Sequence, residues 1–166
     1  MKPVVIDNFL DEQSFQNLQN IMFGENFCWV YNGAIDYEDD EDKFQFTHSF
    51  YKNNIGPSSQ QYGKLSHILN KIRPKEIFRI KANLLSRTSE IVENSFHVDI
   101  VDLGILPWTT AVFYMNTNNG YTEFETGAKV ESVENRMLVF PAEMKHRGTS
   151  CTDKKIRVVV NFNYLT

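Results

Sequence analysis

From residue 77 to residue 164 the sequence is a succession of short β-prone segments, and this pattern limits the possible fold more than any other feature. Runs rich in branched and aromatic residues predict seven strands, at residues 77–85, 96–101, 108–116, 121–125, 128–132, 136–140 and 156–164. Turn signals stand between several of them, at residues 118–120, 125–127 and 134–135, and predict that successive strands fold back on one another. Antiparallel β-structure is therefore expected over residues 77–164.

Two amphipathic helices are predicted before these strands. The first begins at Asp11, a favourable N-cap, and ends at Gly24. The second begins near residues 57–59 and ends before Pro74, which cannot continue a helix. Each helix has one apolar side, formed by Phe15, Leu18 and Met22 in the first and by Tyr62, Leu65, Leu69 and Ile72 in the second. A short apolar run at residues 4–6 and two early strands at 27–31 and 44–51 complete the N-terminal part.

Helices collected at the N-terminus and strands after them predict a mainly β fold with N-terminal helices. The arrangement that fits best is a double-stranded β-helix, or jelly roll, braced by helices against one outer face. A chain of 166 residues is close to the usual size of one domain. We therefore expect a single domain over residues 1–166, with helical support and early strands in 1–76 and the jelly-roll core with the functional site in 77–166.

Composition narrows the classes of partner. The formal net charge is −4, so no general attraction to nucleic-acid phosphates or anionic membranes is expected. The acidic block at residues 36–42 is interpreted as a solvated loop. Two cysteines without a CxxC pair predict neither a disulfide framework nor a cysteine metal site, and they fit a reducing cytoplasm. No run resembles a signal peptide or approaches the ~20 apolar residues that cross a bilayer.

His97-Val98-Asp99 lies within one of the predicted strands. Because successive side chains in a strand point to opposite faces, His97 and Asp99 are expected to project together while Val98 packs the other way. The tripeptide alone is weak evidence for a metal site, since a histidine two residues from an aspartate occurs often by chance. Its significance depends on residues nearer the C-terminus.

His146 stands 49 residues after His97 (146 − 97), in a loop or strand start just beyond the strand that ends at Pro141. Taken alone, His146 could equally be an exposed loop histidine, since Lys145 and Arg147 flank it. Two imidazoles and one carboxylate can, however, occupy one triangular face of an octahedral metal and leave three positions for chemistry, as in non-haem Fe(II) oxygenases. His97, Asp99 and His146 are therefore the predicted catalytic metal ligands of an oxygen-activating enzyme.

The last predicted strand has one apolar and one polar face. Ile156, Val158, Val160, Phe162 and Tyr164 share the apolar face, and Arg157, Val159, Asn161 and Asn163 share the other. An exposed sheet face would explain the polar residues, but the nearby metal ligands favour a polar cavity. A buried guanidinium needs an anionic partner, and its planar fork matches a carboxylate. Arg157 is therefore predicted to anchor a dicarboxylate cosubstrate.

These residues carry a family resemblance. The His97-x-Asp99 tripeptide, Phe140-Pro141 before His146, and Arg157 opening the final strand resemble the 2-oxoglutarate- and Fe(II)-dependent dioxygenases, in particular the prolyl 4-hydroxylase-like branch. The likeness covers roughly residues 77–164. Residues 113–116 (Phe-Tyr-Met-Asn) are similar to the family's strand after HxD, and residues 119–124 resemble its glycine-threonine-glutamate turn. Arg157 stands at a position where the prolyl hydroxylases commonly have a lysine.

The resemblance implies a ferrous ion held by His97, Asp99 and His146, with 2-oxoglutarate as cosubstrate and O2 as oxidant. It also implies that Tyr114 bonds the far carboxylate of 2-oxoglutarate. The family often places a tyrosine on the strand before HxD, and this chain has Asn83 there as its replacement. Asn161 and Asn163 share the face of Arg157 and are added to the cosubstrate-binding residues. The implied reaction is hydroxylation of an unactivated C–H bond with release of succinate and CO2.

The substrate is expected to be a peptide or a small molecule. Peptidyl proline is the first candidate by resemblance, while a free amino acid, another small metabolite and a nucleobase are chemically compatible. Residues 86–96 and 106–108 are candidates for the mouth of the site, although Trp108 is at least as well explained as a core aromatic. Two other classes of function remain open at this point: a non-catalytic jelly-roll binding domain, and a Zn(II) or Mn(II) enzyme that uses the same ligands.

Overall fold

The computed structural model describes residues 2–35, 43–100 and 106–166. Within these ranges the chain forms two α-helices and eleven strands, all paired antiparallel in two sheets, so the predicted jelly roll is confirmed. The elements are β1 Val4–Ile6, α1 Glu12–Met22, β2 Val30–Asn32, β3 Gln45–Lys52, β4 Gly56–Pro57, a 3₁₀ turn Tyr62–Leu65, α2 Ser66–Ile72, β5 Glu76–Ser86, β6 Thr109–Tyr114, β7 Tyr121–Phe124, β8 Lys129–Glu131, β9 Arg136–Pro141, β10 His146–Gly148 and β11 Ile156–Leu165.

The larger sheet has the strand order β1-β9-β6-β11-β5-β3-β2, with β4 added to β3, and the smaller has the order β10-β7-β8. The long strands β5 and β11 pair from Ser86 opposite Ile156 to Glu76 opposite Leu165, so they form the centre of the larger sheet. β6 continues from β11, with Tyr114 opposite Val159. The polar face predicted for β11 is therefore extended across its neighbours and is turned toward the smaller sheet.

The helices begin and end for identifiable local reasons. The Asp11 side chain accepts a 2.9 Å hydrogen bond from the Ser14 amide at the start of α1, as its predicted N-cap role requires. The second helix begins later than predicted, because the segment from Tyr62 first forms a 3₁₀ turn. Arg73, just before Pro74, adopts a left-handed conformation that ends α2.

Two apolar cores stabilise the fold. The larger lies between the helices and the outer face of the main sheet, where Phe15 packs edge-to-face on Phe113. The smaller lies between the two sheets, where Phe124 packs on Phe140 with ring centroids 4.9 Å apart. The apolar face of β11 contributes to the larger core, so Arg157, Asn161 and Asn163 necessarily face the space between the sheets.

The strand predicted at residues 96–101 is not formed over its described residues, 96–100. His97 instead makes one isolated antiparallel bridge to His146, and Asp99 lies in a bend. A second bridge joins Glu93 to Thr149. The segment is thus attached irregularly to the edge of β10, a strand that the sequence predicts only as a loop or strand start at His146.

Two of the three turn signals do not join paired strands. The turn at Gly127, which has a positive φ, connects the paired strands β7 and β8 as predicted. Residues 118–120 and 134–135 instead connect strands of different sheets, from β6 to β7 and from β8 to β9. Local turn chemistry predicted a reversal correctly, but in a jelly roll the reversed chain pairs with a strand distant in sequence.

The acidic loop and the absence of a membrane-spanning run were also predicted. The acidic residues 36–42 lie outside the described residues. In the described part of the chain, neither helix has the length and apolar character needed to span a membrane.

Candidate metal centre

His97, Asp99 and His146 converge at one end of the space between the sheets. One ligating atom from each lies within 4.8 Å of the others. The Nε2 atoms of His97 and His146 are each 3.9 Å from an oxygen of the Asp99 carboxylate. The three predicted ligands are therefore brought together, and their donor set of two imidazoles and one carboxylate suits a divalent iron centre.

Both imidazoles are oriented by backbone carbonyl groups. His97 Nδ1 lies 3.1 Å from the Ser95 carbonyl oxygen, and His146 Nδ1 lies 3.0 Å from that of Met144. A carbonyl oxygen only accepts, so each Nδ1 carries the proton and each Nε2 carries the lone pair. This is the tautomer that an Nε2 metal ligand requires.

Three side chains from three strands hold the Asp99 carboxylate. Thr110 on β6 and Asn163 on β11 donate hydrogen bonds of 2.9 Å to Oδ2, while Arg79 on β5 donates one of 3.2 Å to Oδ1. Asn163 also accepts a 3.1 Å bond from Arg79 Nε. Both lone pairs of Oδ2 are occupied, whereas Oδ1 keeps one. Oδ1 is therefore the better donor atom for a metal.

The environment favours the ionised carboxylate. Burial opposes the charge on Asp99, but nearby His146 and Arg79, the Asn163 hydrogen bond and His97 outweigh it, and they hold the pKa of Asp99 below its ordinary value. Arg79 and Thr110 were not identified from the sequence. Arg79 alternates with Lys81 and Asn83 along β5, and this period-two polarity is the signal that marks the strand's cavity face.

Arg157 is buried, with 4% of its surface exposed. Its Nε donates 2.8 Å to Ser132 Oγ and its Nη2 donates 3.4 Å to Thr122 Oγ1, but no carboxylate of the described chain forms an ion pair with it. Burial lowers the pKa of Arg157 because the charged guanidinium is desolvated. A buried cation that lacks a protein counter-charge indicates a binding site for an anion.

Gly120 explains how Arg157 fits. A Cβ at Gly120 would come within 2.6 Å of both Arg157 Cδ and the Ser150 carbonyl oxygen. Any side chain at this position would displace the arginine. The turn that resembled the family's glycine-threonine-glutamate motif therefore supplies the space for Arg157 through Gly120, and a hydroxyl contact through Thr122.

The other predicted cosubstrate-binding residues separate into two groups. Asn83 and Asn161 line the same cavity as the three ligands and Arg157, and the volume of this cavity is about 350 Å³. Tyr114 is fully buried next to Arg157, but its hydroxyl donates a 2.8 Å bond to Thr122 and it does not line the cavity. Asn163 is also placed differently from its prediction, because its amide is engaged by Asp99, Thr110 and Arg79.

Three further side chains, the remaining two histidines and one tryptophan, do not line the cavity. His48 bonds the Cys28 carbonyl and the Ser59 hydroxyl, each at 2.7 Å. His67 is exposed on α2. Trp108, a candidate for the mouth of the site that a core position explains at least as well, is buried and packs edge-to-face on Phe78.

Comparison with known proteins gives matches at the level of structure. No protein-family model matches the chain, and no curated protein matches its sequence. The viral collagen prolyl hydroxylase of Paramecium bursaria Chlorella virus-1, in a 2-oxoglutarate complex, aligns with 100% of this chain and 97% of its own, at a TM-score of 0.65 and 13% identity. A Trichoplax adhaerens prolyl hydroxylase in complex with a hypoxia-inducible factor peptide aligns with 98% of this chain and 83% of its own, at 0.66 and 10%.

A third similar structure has a small-molecule ligand. HygX from Streptomyces hygroscopicus, with nickel, 2-oxoglutarate and hygromycin B bound, aligns with 98% of this chain and 82% of its own, at a TM-score of 0.63 and 11% identity. At such identities the likeness concerns the fold. The chain therefore has the fold of the 2-oxoglutarate- and Fe(II)-dependent oxygenases, prolyl hydroxylases among them.

Proposed function

We propose that this chain is an Fe(II)- and 2-oxoglutarate-dependent oxygenase that hydroxylates an unactivated C–H bond and releases succinate and CO2. The observation that carries the proposal is one cavity lined both by the His97, Asp99 and His146 triad and by Arg157. Arg157 is buried and forms no ion pair with a carboxylate of the described residues. The fold shared with 2-oxoglutarate oxygenases supports it. A single domain over residues 1–166 remains part of this proposal.

In this proposal His97, Asp99 and His146 hold the iron, and Arg157 binds the distal carboxylate of 2-oxoglutarate. When bound, Fe(II) and 2-oxoglutarate supply the oxidising chemistry with O2. The protein contributes position and charge. Ser95 and Met144 fix the imidazole tautomers, and Thr110 and Asn163 orient the carboxylate.

The remaining cosubstrate residues act around Arg157. Thr122 accepts from both Tyr114 and Arg157, so Tyr114 holds the hydroxyl that helps to orient the guanidinium. Asn83 and Asn161 present amides to the cavity that Arg157 and the metal ligands share, where their N–H groups can donate to 2-oxoglutarate. The proposed role of Asn163 moves from cosubstrate contact to orientation of Asp99.

The substrate is proposed to be a peptide or a small molecule. Peptidyl proline is the candidate favoured by the sequence resemblance and by the two similar prolyl hydroxylase structures. A small polar molecule is favoured by the polar cavity lining, and HygX is a protein of this fold with hygromycin B bound.

The first test is anaerobic addition of Fe(II) and 2-oxoglutarate to the purified protein. The chelate should produce a weak visible charge-transfer absorption, which His146→Ala should abolish and His67→Ala should retain. Uncoupled conversion of 2-oxoglutarate to succinate should then be measured, and His97→Ala or Asp99→Ala should eliminate it. Absorption without succinate formation would support the non-catalytic binding domain. No succinate with Fe(II), together with a different, redox-neutral activity that appears on reconstitution with Zn(II) or Mn(II), would support a different metal enzyme.

A further inference from the structure

The side chain of Asn94 is buried in the wall of the cavity. Asn94 has 6% of its surface exposed and lines the same cavity as the metal ligands and Arg157. Its backbone amide donates 3.0 Å to the Gly148 carbonyl oxygen, but its side-chain amide makes no hydrogen bond to the described residues. No atom of this amide is among the fully enclosed polar atoms that lack a partner. The Asn94 amide is therefore accessible to a ligand in the cavity.

Asn94 and Arg157 direct two donors at one place. A Cβ placed on Gly148 would lie 3.4 Å from Arg157 Nη1 and 3.9 Å from Asn94 Nδ2. Arg157 bonds Ser132 through Nε and Thr122 through Nη2, and within the described residues its Nη1 makes no hydrogen bond. A guanidinium N–H and an amide N–H both donate, so they cannot bond each other. The two groups therefore require an acceptor between them.

Thr122 adds a third donor beside these two. Its Oγ1 accepts a 2.8 Å bond from Tyr114 and a 3.4 Å bond from Arg157 Nη2, which occupies both lone pairs of the hydroxyl. The hydroxyl proton is left to donate, and Thr122 lines the cavity. Three donors, one of them cationic, match a carboxylate, whose two oxygens only accept hydrogen bonds.

Gly148 leaves the approach to both donors open. It lies in β10 and is not one of the glycines with a positive φ, so the backbone does not require a glycine here. A methyl group at Gly148 would meet only ordinary van der Waals distances to the protein, but it would stand between the two donors and a ligand. Glycine at this position therefore serves ligand binding and not the conformation of the strand.

We propose that Asn94 is a second anchor for the distal carboxylate of 2-oxoglutarate, to which its Nδ2 donates beside Arg157 Nη1, and that Gly148 provides the room for this carboxylate. This inference rests on the proposed function, because it adds residues to the cosubstrate end of the same site. The sequence places Asn94 in the segment 86–96, a candidate for the mouth of the site. Its assignment to the cosubstrate depends on the tertiary contacts with Gly148 and Arg157.

A purely structural role for Asn94 makes a different prediction. Asn94 is three residues before His97, and both residues are attached to β10, through Gly148 and His146. If Asn94 only held this segment in place, its loss would displace His97 and would weaken every ligand that chelates the metal. If Asn94 binds the distal carboxylate, only ligands that have this carboxylate should respond.

The test therefore compares three ligands that differ in one group. 2-Oxoglutarate has the chelating 2-oxo acid group and the distal carboxylate, 2-oxobutyrate has the 2-oxo acid group alone, and glutarate has two carboxylates without the ketone. Isothermal titration of the full chain loaded with Mn(II) measures the affinities for the two 2-oxo acids. Saturation-transfer NMR on the metal-free chain measures glutarate, which should bind at millimolar concentration.

Asn94→Ala should weaken 2-oxoglutarate about ten-fold or more, as loss of a hydrogen bond to a charged group implies. It should weaken glutarate as well and leave 2-oxobutyrate unchanged. Gly148→Ala should give the same pattern, because the added methyl group occupies the place of the carboxylate. Asn20→Ala removes an exposed amide from α1 and is the matched control, which should leave all three affinities unchanged.

Asn94→Asp gives an independent readout. The new carboxylate would lie beside the buried Arg157 guanidinium, so the melting temperature of the ligand-free protein should rise. The same carboxylate would repel the distal carboxylate, so 2-oxoglutarate should bind more weakly than it does to Asn94→Ala. An asparagine with only a structural role would give no gain in stability on this change.

The outcomes separate this inference from the proposed function. If Asn94→Ala weakens 2-oxoglutarate and 2-oxobutyrate equally, or weakens neither, the anchor role of Asn94 is wrong and the oxygenase proposal stands. If wild type binds neither 2-oxo acid but binds glutarate through Asn94, the oxygenase proposal is wrong and the carboxylate anchor stands. Absence of binding of all three ligands to wild type would overturn both.

Discussion

His97 and His146 form a reciprocal backbone pair: each amide donates to the other's carbonyl oxygen, and both N···O distances are 3.0 Å. The imidazole centroids are 4.7 Å apart as a result. Because residues 96–100 form no strand, this bridge aligns the two histidines without a regular ladder. The separation of the proposed ligands therefore depends on how the segment from Glu93 to His97 attaches to the edge of β10.

A cluster on the outer side of this junction reinforces the attachment. Arg147, next to His146, pairs with Glu93 at 2.5 Å and with Glu123 at 2.6 Å, and its guanidinium lies 4.4 Å from the ring centroid of Phe96, next to His97. We predict that Arg147→Ala weakens Mn(II) binding about ten-fold by loosening the two histidine segments. Titration of the metal by electron paramagnetic resonance measures the effect.

The matched control is Lys145→Ala, which removes an exposed ion pair with Glu125 from the same segment. It should leave metal binding unchanged. Arg147→Lys keeps the positive charge but not the planar guanidinium group. The affinity of this variant for Mn(II) should therefore lie between those of wild type and Arg147→Ala. A loss of global stability in Arg147→Ala with normal metal affinity would show that the cluster serves the fold alone.

Thr110 should affect the metal through Asp99. Thr110→Val preserves shape but removes the hydroxyl that donates 2.9 Å to Asp99 Oδ2. We predict an affinity for Mn(II) about 10- to 100-fold lower, because a ligating carboxylate loses one of its orienting hydrogen bonds. Isothermal titration measures it, with Thr126→Val in the exposed turn after β7 as control. Unchanged affinity would mean that Asn163 and Arg79 orient Asp99 without Thr110.

Arg157 should have opposite effects on the ligand-free and ligand-bound protein. Arg157→Met removes a buried cation that has no counter-charge among the described residues, so the free energy of unfolding without ligand should rise by about 1 kcal/mol or more. The same change deletes a charge-assisted hydrogen bond worth about 1.5–3 kcal/mol, so 2-oxoglutarate should bind about 10- to 150-fold more weakly.

Thermal denaturation with Mn(II), with and without 2-oxoglutarate, tests both effects on Arg157. 2-Oxoglutarate should raise the melting temperature of the wild-type protein. Without 2-oxoglutarate, Arg157→Met should melt at a higher temperature than wild type, and adding 2-oxoglutarate should raise its melting temperature little further. A variant that is less stable alone and still responds fully to 2-oxoglutarate would contradict the anchor role.

Asp7 should make stability depend on acidic pH. Its carboxylate accepts two hydrogen bonds from Arg136, at 2.6 and 3.1 Å, and these lower the pKa of Asp7 below its ordinary value. A lowered pKa in the folded state means that the pair stabilises the fold above the ordinary pKa and loses this effect as the pH falls through the folded pKa. Because the Asp7 and Arg136 pair is half-exposed, Asp7→Asn should lower the free energy of unfolding by less than about 1 kcal/mol at pH 7.

Urea denaturation of wild type and Asp7→Asn from pH 7 to pH 3 measures this contribution. The difference in the free energy of unfolding between the two proteins should be constant down to about pH 4 and should become smaller at lower pH. A difference that stays the same at pH 3 would show that Asp7 acts through packing of the chain after β1 and not through its charge.

The sequence by itself determined the elements whose causes are local. Period-two alternation on β11 predicted correctly which side chains enter the core and which, including Arg157, face the cavity. Asp11 predicted the start of α1, and the β-rich pattern after residue 76 predicted the jelly roll. These features depend on the geometry of a single strand or helix turn, so neighbouring residues suffice to specify them.

Only the tertiary structure decided how distant segments meet. The His97-x-Asp99 tripeptide was expected to present its ligands from a strand, yet no strand forms there. His97 is aligned by its pairing with His146, and Asp99 by hydrogen bonds from Arg79, Thr110 and Asn163, which lie on three separate strands. Turn signals could not tell a hairpin from a crossing between sheets. Hydrogen bonds between residues up to 84 positions apart leave no local pattern, so the roles of Arg79, Thr110 and Asn163 depended on strand register.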